Sequence, residues 1–158
     1  MSLPLHPGQT VENLKTESGP RPEVSTVVSV ADSGGSLNNL HFTLKDGANA
    51  AFYCWFNVNA AGADPAPGGT GIEVALATNA TAAAVASAIQ AAIDALGGFI
   101  AVLLNSTTVQ ISNAVNGTAT DIGAGDSGMA VSVSVQGQPG NYYPSLNPGS
   151  ISLTPSAF

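Results

Sequence analysis

The apolar residues of this chain fall in short alternating runs, interrupted once by a stretch with helical spacing, and that order predicts strands, a single helix, then strands. Over 24–30, Val24, Thr26, Val28 and Val30 share one face and Ser25, Val27 and Ser29 the other, before Asp32, Ser33, Gly34 and Gly35 end the run. Leu40, Phe42 and Leu44 alternate with His41 and Thr43, and Lys45-Asp46-Gly47 follows as a hairpin turn. Residues 51–58 form the most aromatic segment, with Phe52, Cys54, Phe56 and Val58 on one face and Tyr53, Trp55 and Asn57 on the other. Both faces of this central strand are therefore expected to be covered, one by a helix and one by another layer or subunit.

Residues 59–71 are rich in Gly, Ala and Pro and read as a loop, and Ile72, Val74 and Leu76 then mark a strand over 71–77. Asn79 or Thr81 offers an N-cap oxygen to a helix over about 81–96, whose Val85, Ile89, Ile93 and Leu96 line up in one stripe. The rest of that helix is nearly all Ala, and Gly97 and Gly98 supply its stop. Three further strands are predicted at 99–104, 108–113 and 129–136, the last with Val131, Val133 and Val135 opposite Ser132 and Ser134. The fold class expected is α+β, mostly β: an antiparallel sheet or sandwich over residues 23–137, with one amphipathic helix packed on a face.

The two ends break this pattern. Residues 1–22 hold Pro4, Pro7, Pro20 and Pro22, which suppress helix and interior strand. They read as an extended arm or an untethered terminus, and Leu3, Leu5, Val11 and Leu14 favour an arm that docks on a partner. Residues 138–158 read as an irregular tail with Tyr142 and Tyr143 as anchors and, at 150–154, a short edge strand.

Composition changes the picture at the surface. Apolar residues make up 44% of the 158, but charged residues only 8%, so Ser, Thr, Asn, Gly and Ala must cover the exterior. Such a surface is cheap to desolvate, which favours burial against neighbouring subunits. The net charge of −7 sets ten carboxylates against Lys15, Arg21 and Lys45, leaving no basic patch for phosphates. Direct nucleic-acid binding and anionic membranes are disfavoured accordingly. A lone Cys54 builds neither an internal disulfide nor a cysteine zinc cluster, and no run approaches the ~18 apolar residues of a membrane span. The N-terminal residues lack the pattern of a signal peptide, so folding in a cytoplasm is expected.

The candidate chemistry is thin. Gly125-Asp126-Ser127-Gly128 matches the surroundings of a trypsin-like nucleophile, yet Met129 stands where a glycine is required and only His6 and His41 are available as bases. A polar turn is the simpler reading. Cys54 and His41 are the remaining thiol and imidazole, but they alternate onto opposite faces of their strands, which predicts a buried, inert thiol. Asp121 and Asp126 lack the ligand spacing of a calcium loop, and Asp64 and Glu73 are separated by a loop that fixes no carboxylate pair. Neither a catalytic nor a metal site is expected, and no cofactor.

The stretch Phe52-Tyr53-Cys54-Trp55-Phe56-Asn57-Val58, then Asp64-Pro65, Gly69-Thr70-Gly71-Ile72-Glu73-Val74 and Ala80-Thr81-Ala82, resembles a module of bacteriophage virion structural proteins. That module has an aromatic strand, a Gly/Pro loop, a Gly-Ile-x-Val strand and a helix opening with Ala-Thr-Ala. The resemblance spans about residues 42–137 and weakens after Ile111. It implies a non-enzymatic virion component assembled in a host cytoplasm, with other virion proteins and copies of itself as partners. Capsid decoration or cementing is the first expectation, and a tail or baseplate accessory the second. A carbohydrate-binding module stacking sugars on Tyr53, Trp55 or Tyr142 is the reading of a different class.

Overall fold

The computed structural model describes residues 19–139, so residues 1–18 of the N-terminal arm and 140–158 of the C-terminal tail lie outside the described residues. The element order is β1 (Val24–Val28), β2 (His41–Lys45), β3 (Ala51–Val58), β4 (Thr70–Leu76), α1 (Ala82–Asp94), β5 (Phe99–Leu103), β6 (Thr108–Asn113) and β7 (Ala130–Val135). Among the described residues the protein is mostly β, with one helix and two sheets, and its strand pairs are mainly antiparallel.

One sheet has the order β5-β6-β1-β7 and is antiparallel throughout; the other has the order β2-β3-β4. β2 and β3 form the expected hairpin, because Asp46 accepts from the Ala48 and Ala50 amides (both 2.9 Å) and so caps the turn between them. β3 and β4 are the parallel exception. A parallel neighbour can be reached only by carrying the chain back to the starting end of the sheet, and the connection here is the Gly/Pro-rich loop 59–69. The sequence's own loop thus supplies a layer over β3.

Both sheets and the helix share one core. Phe42, Cys54, Phe56 and Val74 from the second sheet meet Val27, Val109 and Ile111 from the first, with Val85, Ile89 and Ile93 of α1 fully buried among them. The helix packs against β4, β5 and β6, so it touches both sheets. Thr81 is its N-cap, accepting from the Ala84 amide at 3.2 Å, and the Ala-rich flank at Ala83, Ala84, Ser87 and Ala91 is exposed.

The inner face of β1 reverses what its valines suggest. Ser25, Val27 and Ser29 face inward, whereas Val28 and Val30 are exposed. Val27 sits in the core and pairs with Val109 of β6 and Val131 of β7, so the central position of the strand decides its orientation.

A polar anchor holds the loop after β1. Asp32 is buried and accepts from the amides of Gly35 (2.9 Å), Leu37 (3.0 Å) and Asn79 (2.8 Å). Burial works against its charge, but those amides and Ser36 outweigh it and hold its carboxyl below the ordinary value of 3.8. Because Asn79 lies just before α1, this single side chain ties the exit of β1 to the entry of the helix.

Candidate functional site

Chemistry can be sought first where His41, Cys54, Asp126 and Ser127 lie. Phe42 is directly opposite Cys54 across the β2–β3 ladder, so His41 alternates to the other side of the sheet from the thiol. Cys54 is fully buried, and burial pushes its thiol far above the ordinary range, which removes it as a nucleophile at neutral pH. His41 meets Asp126 instead: Nδ1 lies 3.0 Å from Oδ1, and the same oxygen accepts from the His41 amide at 2.6 Å. Ser127 follows Asp126 but is buried, and its Oγ donates to the Ala124 carbonyl at 2.6 Å.

The serine-containing motif is thus a turn that clamps β2. Gly123 exchanges both backbone hydrogen bonds with Thr43 (2.9 and 3.0 Å), and the Ser127 amide donates to the His41 carbonyl at 3.1 Å. Gly125 has φ of 55°, and a Cβ there would run into that carbonyl oxygen, so the position requires glycine.

The remaining carboxylates are also engaged. Asp121 accepts from Gln136 Nε2 at 3.0 Å, Asp64 from the Tyr53 hydroxyl at 2.7 Å, and Glu73 from Asn57 Nδ2 at 2.6 Å. Among the described residues, no group of three or more His, Cys, Asp or Glu side chains is placed to hold a metal ion.

Tyr53 and Trp55 stand differently from the expectation that they present stacking platforms. They are 3% and 8% exposed. The Asp64 acceptor draws the loop over Tyr53, the Gly62 amide donates to Asn57 Oδ1 (2.9 Å) and the Ala63 amide to Asn39 Oδ1 (2.7 Å). Trp55 lies between Tyr53 and Asn57 on that same face and is buried as well. Neither ring offers an open face to a sugar, so the stacking platforms expected at Tyr53 and Trp55 are buried positions in the fold. The other candidates, Leu3, Leu5, Val11, Leu14, Tyr142 and Tyr143, lie outside the described residues.

The distinctive surface is the outer face of the four-stranded sheet. Its strands, Val-Ser-Thr-Val-Val, Phe-Ile-Ala-Val-Leu, Thr-Val-Gln-Ile-Ser-Asn and Ala-Val-Ser-Val-Ser-Val, contain no charged residue. Ladder register places Ile100 beside Ser112 and Val24, and Val102 beside Gln110, Thr26 and Ser132, while Val28 lies between Thr108 and Ala130. Ile100 is 55% exposed and Leu104 54%, with Val28, Val30 and Val102 exposed beside them. Thr26 and Ser132 bond to one another across the strands at 2.8 Å, which satisfies hydroxyls that would otherwise need water. Four strands of this length make a platform of about 20 Å by about 17 Å.

The sequence carried one signal of this face. Residues 99–104, Phe-Ile-Ala-Val-Leu-Leu, are apolar at both parities, whereas a strand with one wet face alternates.

No protein-family profile, no curated protein and no solved structure matches the chain.

Proposed function

We propose that this protein is a non-enzymatic structural component of a bacteriophage virion, most simply a capsid decoration or cement protein, with a tail or baseplate accessory as the second placement. The observation that carries this reading is the uncharged outer sheet face, on which Val28, Ile100, Val102 and Leu104 stay exposed although the same chain buries Val27, Phe99 and Ala101 one residue away. An uncharged face that keeps large apolar side chains exposed among hydroxyl and amide groups suits a contact surface. Its lack of charge lets copies of an acidic chain approach one another without bringing carboxylates together.

Two further features support the reading. The residues that resemble a virion module form one consecutive unit, β3, the 59–69 loop, β4 and the opening of α1. The groups suited to acid, base or nucleophilic work are spent internally: Ser127 on Ala124, Asp126 on the His41 amide, Cys54 in the core. On this reading the partners are other virion proteins and copies of the same chain, and the location is the particle, assembled in the host cytoplasm. Nucleic acid and membranes are not partners, since Arg21 and Lys45 are the only Lys or Arg side chains among the described residues.

Gold-labelled antibody against the protein, imaged on purified particles in negative stain, tests this. Regular label over the head supports decoration, and label confined to one vertex or the tail supports the accessory placement. Particles free of the protein by labelling and by mass spectrometry contradict both.

A further inference from the structure

The sheet edges of this fold are not finished alike. β5 is sealed by the helix: Asp94 Oδ1 accepts from the Ala101 amide and Gln90 Nε2 donates to the Ala101 carbonyl, both at 3.3 Å. β2 is sealed by the Gly123 and Ser127 backbone bonds, and β4 carries the charge of Glu73. Among the described residues β7 has no such cover, and its strand holds neither charge nor proline, the usual protections of a bare edge. The Asn113 amide donates to the Glu23 carbonyl (3.0 Å) and the Ser29 amide to the Thr107 carbonyl (2.8 Å), so the odd residues of β1 turn their backbone toward β6. Thr26 and Val28 therefore turn theirs toward β7, where they pair with Ser132 and Ala130. Val131 and Val133 must then direct both amide and carbonyl away from the sheet, and among the described residues no group bonds to them.

The side chains of this edge are unfinished as well. Val131 and Val133 point to the core side and pack against it, yet both stay half-buried, whereas Val27 beside them is fully buried. Space beside the edge is open, because α1 packs against β4, β5 and β6, at the other side of the sheet from β7. The bulge in the β1–β7 ladder falls between Val24 and Ser25, opposite the stretch after Val133, and leaves Val131 and Val133 in regular register.

We propose that the β7 edge is a dimer interface, on which β7 of a second copy of the chain pairs antiparallel about a two-fold axis at Ser132. In this register Val131 lies opposite Val133 of the second copy, and Val133 opposite its Val131, so each residue with an outward backbone meets the other and each pair exchanges both of its backbone hydrogen bonds. The same register sets valine against valine on the core side, covering the half-buried side chains of both copies. The two Ser132 residues face one another as the non-hydrogen-bonded pair between them, since their own backbone bonds go to Thr26.

Charge selects this place for self-association. Copies of a chain with net charge −7 repel one another, and β7 and its neighbour β1 bring no carboxylate to the contact. The axis stands perpendicular to the sheet, so the two four-stranded sheets join into one about 40 Å wide. Both outer faces then point the same way, and the exposed Val28, Ile100 and Val102 of the two copies lie on one continuous plane. The pairing itself does not depend on where the protein sits in a particle.

The test uses the full chain in solution. Sedimentation is expected to give twice the monomer mass for the wild type and for Val102→Glu, which alters only the outer face, and the monomer mass for Val133→Pro, which removes an outward amide that the isolated fold does not use. A monomeric wild type, a Val133→Pro variant that stays dimeric, or a Val102→Glu variant that becomes monomeric overturns the proposal, the last by moving the contact to the sheet face. A single cysteine gives a second reading that leaves the edge intact. Ser132→Cys brings two thiols together across the axis at a spacing that suits a disulfide, and Cys54 is buried and does not compete. Mild oxidation is expected to give a disulfide-linked dimer that reduction abolishes, while Ser134→Cys, which this register sets opposite Ala130 of the second copy, stays monomeric. No cross-link through position 132, or equal cross-linking through 134, overturns it too.

Discussion

Two buried carboxylates respond to pH in opposite senses. Asp32 is held as an anion by three amides, so its folded value lies below the ordinary 3.8 and its contribution is complete above that pH. That contribution is lost as pH falls through the lowered folded value. Replacing it, Asp32→Ala, strands three amides and is expected to cost about 3 kcal/mol at pH 7 by denaturant titration. Glu23 is the reverse case. Burial, with a smaller push from Asp121, raises its carboxyl above the ordinary 4.5 despite the Ser25 hydroxyl bond. A raised folded value means that the favourable contribution is full below pH 4.5 and disappears as pH rises through the folded value. Glu23→Gln is therefore expected to raise the thermal midpoint at pH 7 and to lose that advantage below pH 4.5. A variant no more stable than wild type at pH 7 would show that Glu23 is better solvated than its burial implies.

At the scale of elements, the helix is the clearest test, because it joins the two sheets. Ile89 is fully buried in the shared core, and Ile89→Ala is expected to cost about 3 kcal/mol through the cavity it leaves. Thr81→Ala removes only the cap, at about 1 kcal/mol. Chemical denaturation of the two variants checks the ratio. These elements were legible in the sequence because alternation and breakers coincide: Asp46-Gly47 ends β2, and Val85, Ile89 and Ile93 repeat at helical spacing, although the helix stops at Asp94 with Ala95 as its cap, before Gly97 and Gly98, neither of which takes a left-handed backbone. What was not legible depends on partners distant in sequence. Val24 and Val28 on β1's outer face, with Val30 just beyond it, outnumber Val27, and only the neighbours Val109 and Val131 turn Val27 inward. The parallel β3–β4 pair was hidden for the same reason, and with it the burial of Tyr53 and Trp55, since nothing local states that loop 59–69 folds back across its own strand.

For the whole molecule, the distribution of charge matters more than its sum. Among the described residues, acidic groups lie in turns, in loops, at the end of α1 and on the second sheet, while the four strands of the first sheet have none. Composition indicates a surface poor in charge but not where apolar residues gather on it; the register brings Val28, Ile100 and Val102 onto one plane. The central claim is that this plane carries the protein's attachment to the particle. The most direct measurement compares particle incorporation of Val102→Glu with that of Ala91→Glu, a control on the exposed flank of the helix, each competing with wild-type protein during assembly. With both variants folded by circular dichroism, Val102→Glu is expected to fall at least about tenfold below wild type, the effect of losing roughly 1.4 kcal/mol of binding, and Ala91→Glu to match it. Equal incorporation of Val102→Glu and wild type would contradict the account.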